Sequence, residues 1–214
     1  MDLIPVIDSG LCWDDDKLEA LDEVKKIVIH HTAGSGGESV EDIHEYHQRQ
    51  GWSGIGYHYF IDNSGAVFRG RPDWAKGAHA YGFNSESLGV CLAGNFCDTV
   101  PFLGQLRSLV YLLADLCAEN WIDVDAVFGH GYCPGGDNDT SCPGSNLMAL
   151  MPLIRGQVAD ILRSEEFERL SSLSAVSELV NVAAADLNYY QEFDNEMVSQ
   201  LATAINFLAG GSVG

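Results

Sequence analysis

The stretch KKIVIHHTAG, residues 25–34, is a short apolar run that ends in two histidines and is followed by small residues. Ile27, Val28 and Ile29 are β-branched, a composition typical of a buried β-strand. Ligands converge at the ends of strands in α/β sheets, so His30 stands where a functional site is expected. This stretch therefore predicts both a central strand and the edge of the sheet that carries the chemistry.

Segments that follow this strand alternate between helical and extended patterns. Residues 39–51 predict a helix, because Ser39 supplies an N-cap and acidic residues occupy the first turn. Residues 56–62 and 66–70 are apolar runs separated by the turn-forming sequence Asn-Ser-Gly at 63–65. This spacing predicts a β-hairpin.

The next segments extend the alternation. Residues 87–96 are apolar on both faces, as expected of a central strand, and residues 102–121 form a long apolar-periodic stretch that predicts a helix. Residues 125–130 predict a strand that delivers His130, and residues 146–164 predict another helix. Strands that alternate with helices predict an α/β fold with a mixed central β-sheet flanked by helices.

Composition excludes several classes of function. The 214 residues carry a formal net charge of −20, which argues against nucleic acid and against docking to anionic membranes, since both need clustered basic residues. No segment approaches the roughly 20 apolar residues of a membrane span, and the first residues lack the pattern of a secretory signal. The six cysteines are too sparse for a disulfide scaffold, so most are expected to be reduced and buried.

The character of the chain changes near residue 165. Residues 166–214 contain one basic residue, Arg169, and neither proline, histidine nor cysteine. Apolar residues recur there at helical spacing, which predicts two amphipathic helices joined near 186–188. We expect a helical hairpin at 166–214 that covers its apolar stripes by docking or by homo-oligomer formation, beside a separate domain at 1–165.

Two imidazoles and one thiolate are available for a metal site. His30 and His130 each end an apolar strand, whereas His44 and His47 share one face of the predicted helix and are expected to face solvent. Three protein ligands with an open fourth position are typical of catalytic zinc. The sequence GHGYCPGGDNDTSCPG, residues 129–144, offers two cysteines, at 133 and 142, and leaves the choice of thiolate open.

Five motifs, in order, carry a resemblance to a known family: IVIHHTAG, GWSGIGYHYFID, GAHAYGFNSESLGVCLAGNF, GH and TSCPG. They resemble the zinc-dependent N-acetylmuramoyl-L-alanine amidases, a family that includes bacteriophage amidase endolysins and the peptidoglycan recognition proteins. The similarity covers about residues 24–160. It implies an amidase catalytic domain at 1–165 that acts on peptidoglycan.

The resemblance also implies the metal site. One Zn²⁺ per chain would be bound by His30, His130 and Cys142, since the family's ligand cysteine follows a threonine or lysine two residues earlier. The loop between His130 and Cys142 is longer than is usual in the family and contains Cys133, which we expect to be unligated.

Further roles are implied by the same resemblance. Tyr57 is the expected catalytic hydroxyl that orients the water or stabilises the tetrahedral intermediate, and Thr140 is the expected second oxyanion group. His79, Asn84 and His31 are the expected substrate contacts, although strand alternation turns His31 to the opposite face from His30.

Other classes of function stay open at this point. Some members of the family are receptors that bind peptidoglycan without hydrolysing it, and a Cys-His thiol hydrolase would use Cys142 or Cys133 as a nucleophile. Because a signal peptide is not expected, the chain fits a phage endolysin that a holin releases from the host cytoplasm, or a cytosolic amidase that recycles muropeptides. We favour the endolysin.

Overall fold

The computed structural model describes residues 3–13, 17–135 and 139–164 of the chain. Contacts group Met1–Val158 into one compact unit and Ala159–Gly214 into another. The strands and helices are β1 (Val6–Asp8), β2 (Lys26–His31), α1 (Val40–Arg49), β3 (Tyr59–Ile61), β4 (Val67–Arg69), β5 (Ser87–Leu92), α2 (Leu103–Asn120), β6 (Val127–Gly129) and α3 (Ser145–Arg163).

Six strands form one mixed sheet in the order β1-β4-β3-β5-β2-β6. The hairpin partners β3 and β4 run antiparallel, and every other neighbouring pair is parallel. This arrangement confirms the predicted α/β fold with a mixed central sheet. Parallel neighbouring strands must be joined by a crossover connection, which is usually a helix, so the helices follow from the parallel pairs.

Strand β2 lies inside the sheet, between β5 and β6. Its residues Ile27, Val28 and Ile29 have no exposed surface, and every residue of β5 is buried. Full burial of one such aliphatic side chain stabilises the fold by roughly 1.5–3 kcal/mol. The apolar run that precedes His30 therefore anchors the centre of the sheet.

The predicted β-hairpin is confirmed, and its turn is stabilised by side-chain capping. The Asp62 carboxylate accepts hydrogen bonds from the backbone N–H groups of Ser64 and Ala66, each at 2.9 Å. Gly65 has φ +88°, a conformation that favours glycine. The local sequence thus determines the turn.

Helix α1 begins as predicted, but its histidine face does not point to solvent. Ser39 and Asp42 form a reciprocal capping box. The backbone N–H groups of Ile55 and Gly56 donate to Nδ1 of His44 and His47, respectively, at 3.3 and 3.0 Å. The two rings are only 5% and 6% exposed, so the prediction of a solvated face was wrong.

A close approach of the following loop explains this burial. Gly54 has φ +133°, and a Cβ atom there would lie 2.3 Å from Cε1 of His44. Only glycine allows the backbone to pass so near the helix. Tertiary packing of residues 52–56 against α1 overrides the local polarity of the helix.

The two longer helices match their predicted positions within about one residue at each end. Trp121 ends α2 in the left-handed conformation with φ 56°. The Gln105 amide at the start of α2 donates to the Ala93 carbonyl at 2.8 Å, which ties the helix to the residue after β5.

The cysteines agree with the expectation of reduced and mostly buried thiols. All six are free; Cys12 and Cys97 are exposed and the other four are buried. In the part of the chain that the structure describes, no helix has the length and apolar character needed to cross a bilayer. The predicted helical hairpin at 166–214, and any oligomer that it forms, lie outside the described residues.

We expect the burial of His47 to make folding stability depend on pH. Burial, followed by the nearby Arg71 and His44, lowers the pKa of His47 from 6.5 to about 4. The unfolded chain therefore binds the proton more tightly, so this stability is complete above pH 6.5 and is lost as pH falls toward 4. Between pH 7 and pH 5, His47→Gln should lose about 2 kcal/mol less unfolding free energy than the parent chain.

Urea unfolding at the two pH values provides the measurement. Ser39→Ala is the matched control on the same helix, because it removes the cap and lowers stability by about 1 kcal/mol at both pH values. If the parent chain and His47→Gln lose the same unfolding free energy between pH 7 and pH 5, His47 titrates normally in the folded protein.

Candidate functional site

The site begins at the carboxyl end of β2, where adjacent residues point to opposite faces of the sheet. His30 is 1% exposed and lies opposite Cys91 of β5 in the parallel register. His31 is 6% exposed, packs on Phe96 and accepts a hydrogen bond at Nδ1 from the Phe96 N–H at 3.1 Å. The alternation predicted from the sequence is thus present.

His130 reaches the same place from the neighbouring strand. Strand β6 pairs with β2 through Ile29 and Gly129, and His130 follows directly as the start of a short 3-10 turn. The rings of His30 and His130 have their centroids 4.6 Å apart. Two adjacent parallel strands therefore deliver two imidazoles to one edge of the sheet.

Cys142 completes the cluster from the loop before α3. Its Sγ lies 3.6 Å from Nδ1 of His30. The same Sγ accepts a hydrogen bond from the His31 N–H at 3.5 Å. One ligand atom each from His30, His130 and Cys142 lies within 4.8 Å of the other two. This spacing can hold a single metal ion.

Two backbone contacts fix the cysteine. The Gly131 N–H donates to the Cys142 carbonyl at 2.7 Å, so the turn that carries His130 also holds the cysteine loop. The Thr140 hydroxyl accepts from the Cys142 N–H at 3.2 Å. That bond uses the oxygen of Thr140 and leaves the hydroxyl proton to donate elsewhere.

Burial keeps His30 and Cys142 uncharged. It is the main reason why the pKa of His30 lies well below its usual value, and the neighbouring His79 and His130 act in the same direction. Burial also raises the pKa of Cys142 to about 12. A neutral imidazole is ready to donate its lone pair to a metal, whereas the thiol needs an adjacent cation before it ionises.

Cys133 occupies a different environment. Its thiol donates to the Gly129 carbonyl at 3.6 Å, it is 1% exposed, and it packs in an apolar cluster with Val28 and Phe83. Within the described residues, the group of ligand atoms close enough for one metal contains Cys142 and not Cys133. The placement supports the predicted choice of thiol.

Tyr57 lies over the cluster, with its ring centroid 4.9 Å from that of His30. Burial raises the pKa of its phenol well above the usual value, and Cys91 and Cys142 add to the shift. The Tyr57 ring also packs against the buried cluster that contains Cys91. The phenol therefore stays protonated and can act as a donor.

The three predicted substrate contacts have structural partners of their own. The Asn84 side-chain oxygen accepts from the backbone N–H groups of His79 and Ala80, each at 2.8 Å. His79 is 9% exposed and its Nδ1 lies 3.0 Å from Nε2 of His30. The substrate roles of His79, Asn84 and His31 stay predictions, and the burial of His31 argues against its role.

Sequence reasoning missed the contact of His79 with His30 and the position of Cys91 beside His30. The position of Cys91 follows from register, because Cys91 pairs with His30 on one side and with Phe60 of β3 on the other. A correct alignment of the parallel strands would have been the signal. The sequence does not specify that alignment locally.

Comparison with known proteins agrees with this geometry. The profile of the N-acetylmuramoyl-L-alanine amidase family matches residues 20–145, more than half of the chain. The chain belongs to this family. The matched range contains all three residues of the cluster, His30, His130 and Cys142.

Similar proteins come from phages and animals. The endolysin of Escherichia phage T7 is 38% identical over 100 residues, covering 44% of this chain and 66% of the endolysin. Peptidoglycan-recognition protein SC2 of Drosophila melanogaster is 34% identical over 128 residues, covering 56% of this chain and 68% of that protein. The chain thus spans about two thirds of the length of each relative.

A solved structure extends the likeness to the fold. The N-acetylmuramoyl-L-alanine amidase LysCS from Clostridium intestinale URNW has a TM-score of 0.59 and 31% identity, covering 66% of this chain and 88% of that one. The mixed sheet described above is therefore the fold of the amidases.

We expect Gly144 to be essential to the cysteine loop. It has φ +94°, and a Cβ atom there would lie 2.3 Å from the carbonyl carbon of Phe96. Gly144→Ala therefore combines backbone strain with a backbone overlap, and should lower the unfolding free energy by about 2 kcal/mol or more. Chemical denaturation monitored by tryptophan fluorescence measures the loss.

Gly156→Ala is the matched control. Gly156 lies inside α3 with no atom within 4 Å of an added Cβ, so alanine should stabilise the helix by roughly 0.5–1 kcal/mol. A similar effect of the two substitutions would contradict the proposed close approach at Gly144.

Proposed function

We propose that this chain hydrolyses the amide bond between N-acetylmuramic acid and L-alanine in peptidoglycan, with one Zn²⁺ bound by His30, His130 and Cys142. The observation that carries the proposal is the convergence of these three ligand atoms within 4.8 Å of one another. Membership of the N-acetylmuramoyl-L-alanine amidase family supports the choice of bond.

The donor set fits zinc. Two imidazoles and one thiolate are ligands that Zn²⁺ accepts in tetrahedral sites, and three protein ligands leave a fourth position for water or substrate. His30 offers Nδ1 to this set, because its Nε2 is engaged by His79 at 3.0 Å. Zinc at such a site supplies activation of water and polarisation of a carbonyl group.

The chain's own groups supply the remaining chemistry. The protonated phenol of Tyr57 would donate a hydrogen bond to the carbonyl oxygen as negative charge develops on it. The Thr140 hydroxyl, whose oxygen already accepts from the Cys142 N–H, would donate its proton to the same oxygen. Preorganised donors of this kind contribute a few kcal/mol each to stabilising the transition state.

A thiol hydrolase is the less favoured enzyme. Nucleophilic cysteines have a lowered pKa, whereas burial raises the pKa of Cys142 to about 12. Burial also raises the pKa of Cys133. Chelation by EDTA should therefore abolish the activity, and added Zn²⁺ should restore it.

We further propose that the protein acts as a phage endolysin, released from the host cytoplasm to the wall. The similarity to the endolysin of phage T7 supports this role. The similarity to a peptidoglycan-recognition protein keeps a non-hydrolysing receptor as the second candidate. Release of new L-alanine amino termini from purified peptidoglycan would establish hydrolysis, and binding without release would establish the receptor.

We expect Cys142→Ser to abolish zinc retention and amidase activity, because it removes the thiolate from the cluster. Cys133→Ser is the control and should retain zinc near the level of the parent chain, since that thiol packs in the apolar cluster. Metal content by atomic emission and soluble muropeptide hydrolysis measure both effects. The opposite pattern would assign the site to Cys133.

We expect Tyr57→Phe to lower kcat by about tenfold or more and kcat/KM equally, because the hydroxyl acts mainly in the transition state. Zinc content should not change. Tyr59→Phe is the matched control: its hydroxyl donates to Asp73 at 2.9 Å, outside the proposed catalytic groups. Weak substrate binding with normal kcat in Tyr57→Phe would exclude the catalytic role.

A further inference from the structure

The two ring nitrogens of His30 have different partners. Nδ1 lies 3.6 Å from Sγ of Cys142, and Nε2 lies 3.0 Å from Nδ1 of His79. His79 in turn has its Nε2 3.5 Å from the Ser87 carbonyl oxygen. A chain of contacts therefore runs from the cysteine, through two imidazoles, to the backbone of β5.

The protons on this chain can be assigned from chemistry. If Nδ1 of His30 binds a metal, it carries no proton, so the His30 proton lies on Nε2. Nε2 then donates to Nδ1 of His79, which must be an acceptor. The His79 proton consequently lies on its own Nε2, where the Ser87 carbonyl is the available acceptor. One tautomer of each ring satisfies every contact.

The position of the His79 ring is defined by two glycines. A Cβ atom on Gly77 would lie 2.4 Å from Cδ2 of His79, and one on Gly89 would lie 2.7 Å from the same atom. The Asn84 side chain also holds the backbone N–H of His79 at 2.8 Å. The surrounding backbone thus leaves a slot of the size of this imidazole.

We propose that His79 is a positioning residue for the metal ligand His30. It accepts the Nε2 proton of His30, selects the tautomer that exposes Nδ1, and fixes the orientation of that ring toward His130 and Cys142. This inference rests on the proposed zinc site. It assigns His79 a task that acts through His30, separate from any contact with substrate.

The expected effect is on metal affinity. Groups that orient ligating histidines typically change metal affinity on the order of 10- to 100-fold when they are lost. His79→Leu fills much of the slot but offers no acceptor, so its zinc Kd should rise by about that factor. His79→Asn places an amide oxygen near the position of Nδ1 and should recover most of the affinity.

Zinc Kd is measured on the full chain by competition with a fluorescent zinc chelator. His44→Leu is the matched control, because His44 is likewise a buried, hydrogen-bonded histidine but belongs to α1, away from the cluster. It should lower stability without changing the zinc Kd by more than about twofold. A zinc Kd for His79→Leu within twofold of that of the parent chain would overturn the proposal.

A second measurement does not depend on any variant. In the zinc-loaded parent chain, the imidazole ¹⁵N shifts should show His30 protonated at Nε2 and His79 protonated at Nε2 with an unprotonated Nδ1. A proton on Nδ1 of His79 would overturn the proposal even if His79→Leu fails to fold.

The two proposals fail differently. A parent chain that binds no Zn²⁺ would refute the proposed function and this inference together. A parent chain that binds Zn²⁺ with unchanged affinity in His79→Leu would refute only the role of His79.

Discussion

The pairing of β2 with β5 on one side and with β6 on the other is the constraint on which the site depends. Parallel pairing makes the carboxyl ends of neighbouring strands coincide, so His30, Cys91 and His130 meet because of register. The buried aliphatic run that precedes His30 fixes that register, since a slip by one residue would turn His30 to the opposite face and bring His31 to the site. Packing and chemistry are thus specified by the same seven residues, 25–31.

Burial does more than stabilise the sheet, because it also determines the charge of the site. Loss of hydration lowers the pKa of His30 and of His79 and raises that of Cys142, so the groups stay neutral. A free nucleophilic thiolate is disfavoured in such a site, because the buried sulfur has lost its contact with water. A bound cation would stabilise the thiolate in place of that water. The electrostatics therefore agree with the family to which the chain belongs, and they do so without reference to its relatives.

Local patterns were sufficient to predict most of the fold. The capped helix α1, the β3–β4 hairpin and the apolar central strands are each encoded by neighbouring residues, and all of them are present. The predicted solvent exposure of His44 and His47 was wrong because their burial depends on a distant segment: a loop that only Gly54 allows to approach covers both rings. The contact between His30 and His79 was missed for the same reason, because it joins two segments through a slot between glycines. The choice of Cys142 came from resemblance, and its environment supports it.

The order of the strands also has a consequence for how the molecule is made. Ile27 pairs with Val127, a partner about one hundred residues later in the chain, and Cys142 follows later still. Contacts of such long sequence separation form slowly, because a large loop must close before they are made. During synthesis β2, which bears His30, emerges before β6 and the cysteine loop and must wait for both. A nascent chain that has not yet reached Cys142 therefore has His30 in place but lacks the third member of the cluster, so the cluster assembles only after most of the described chain has been made.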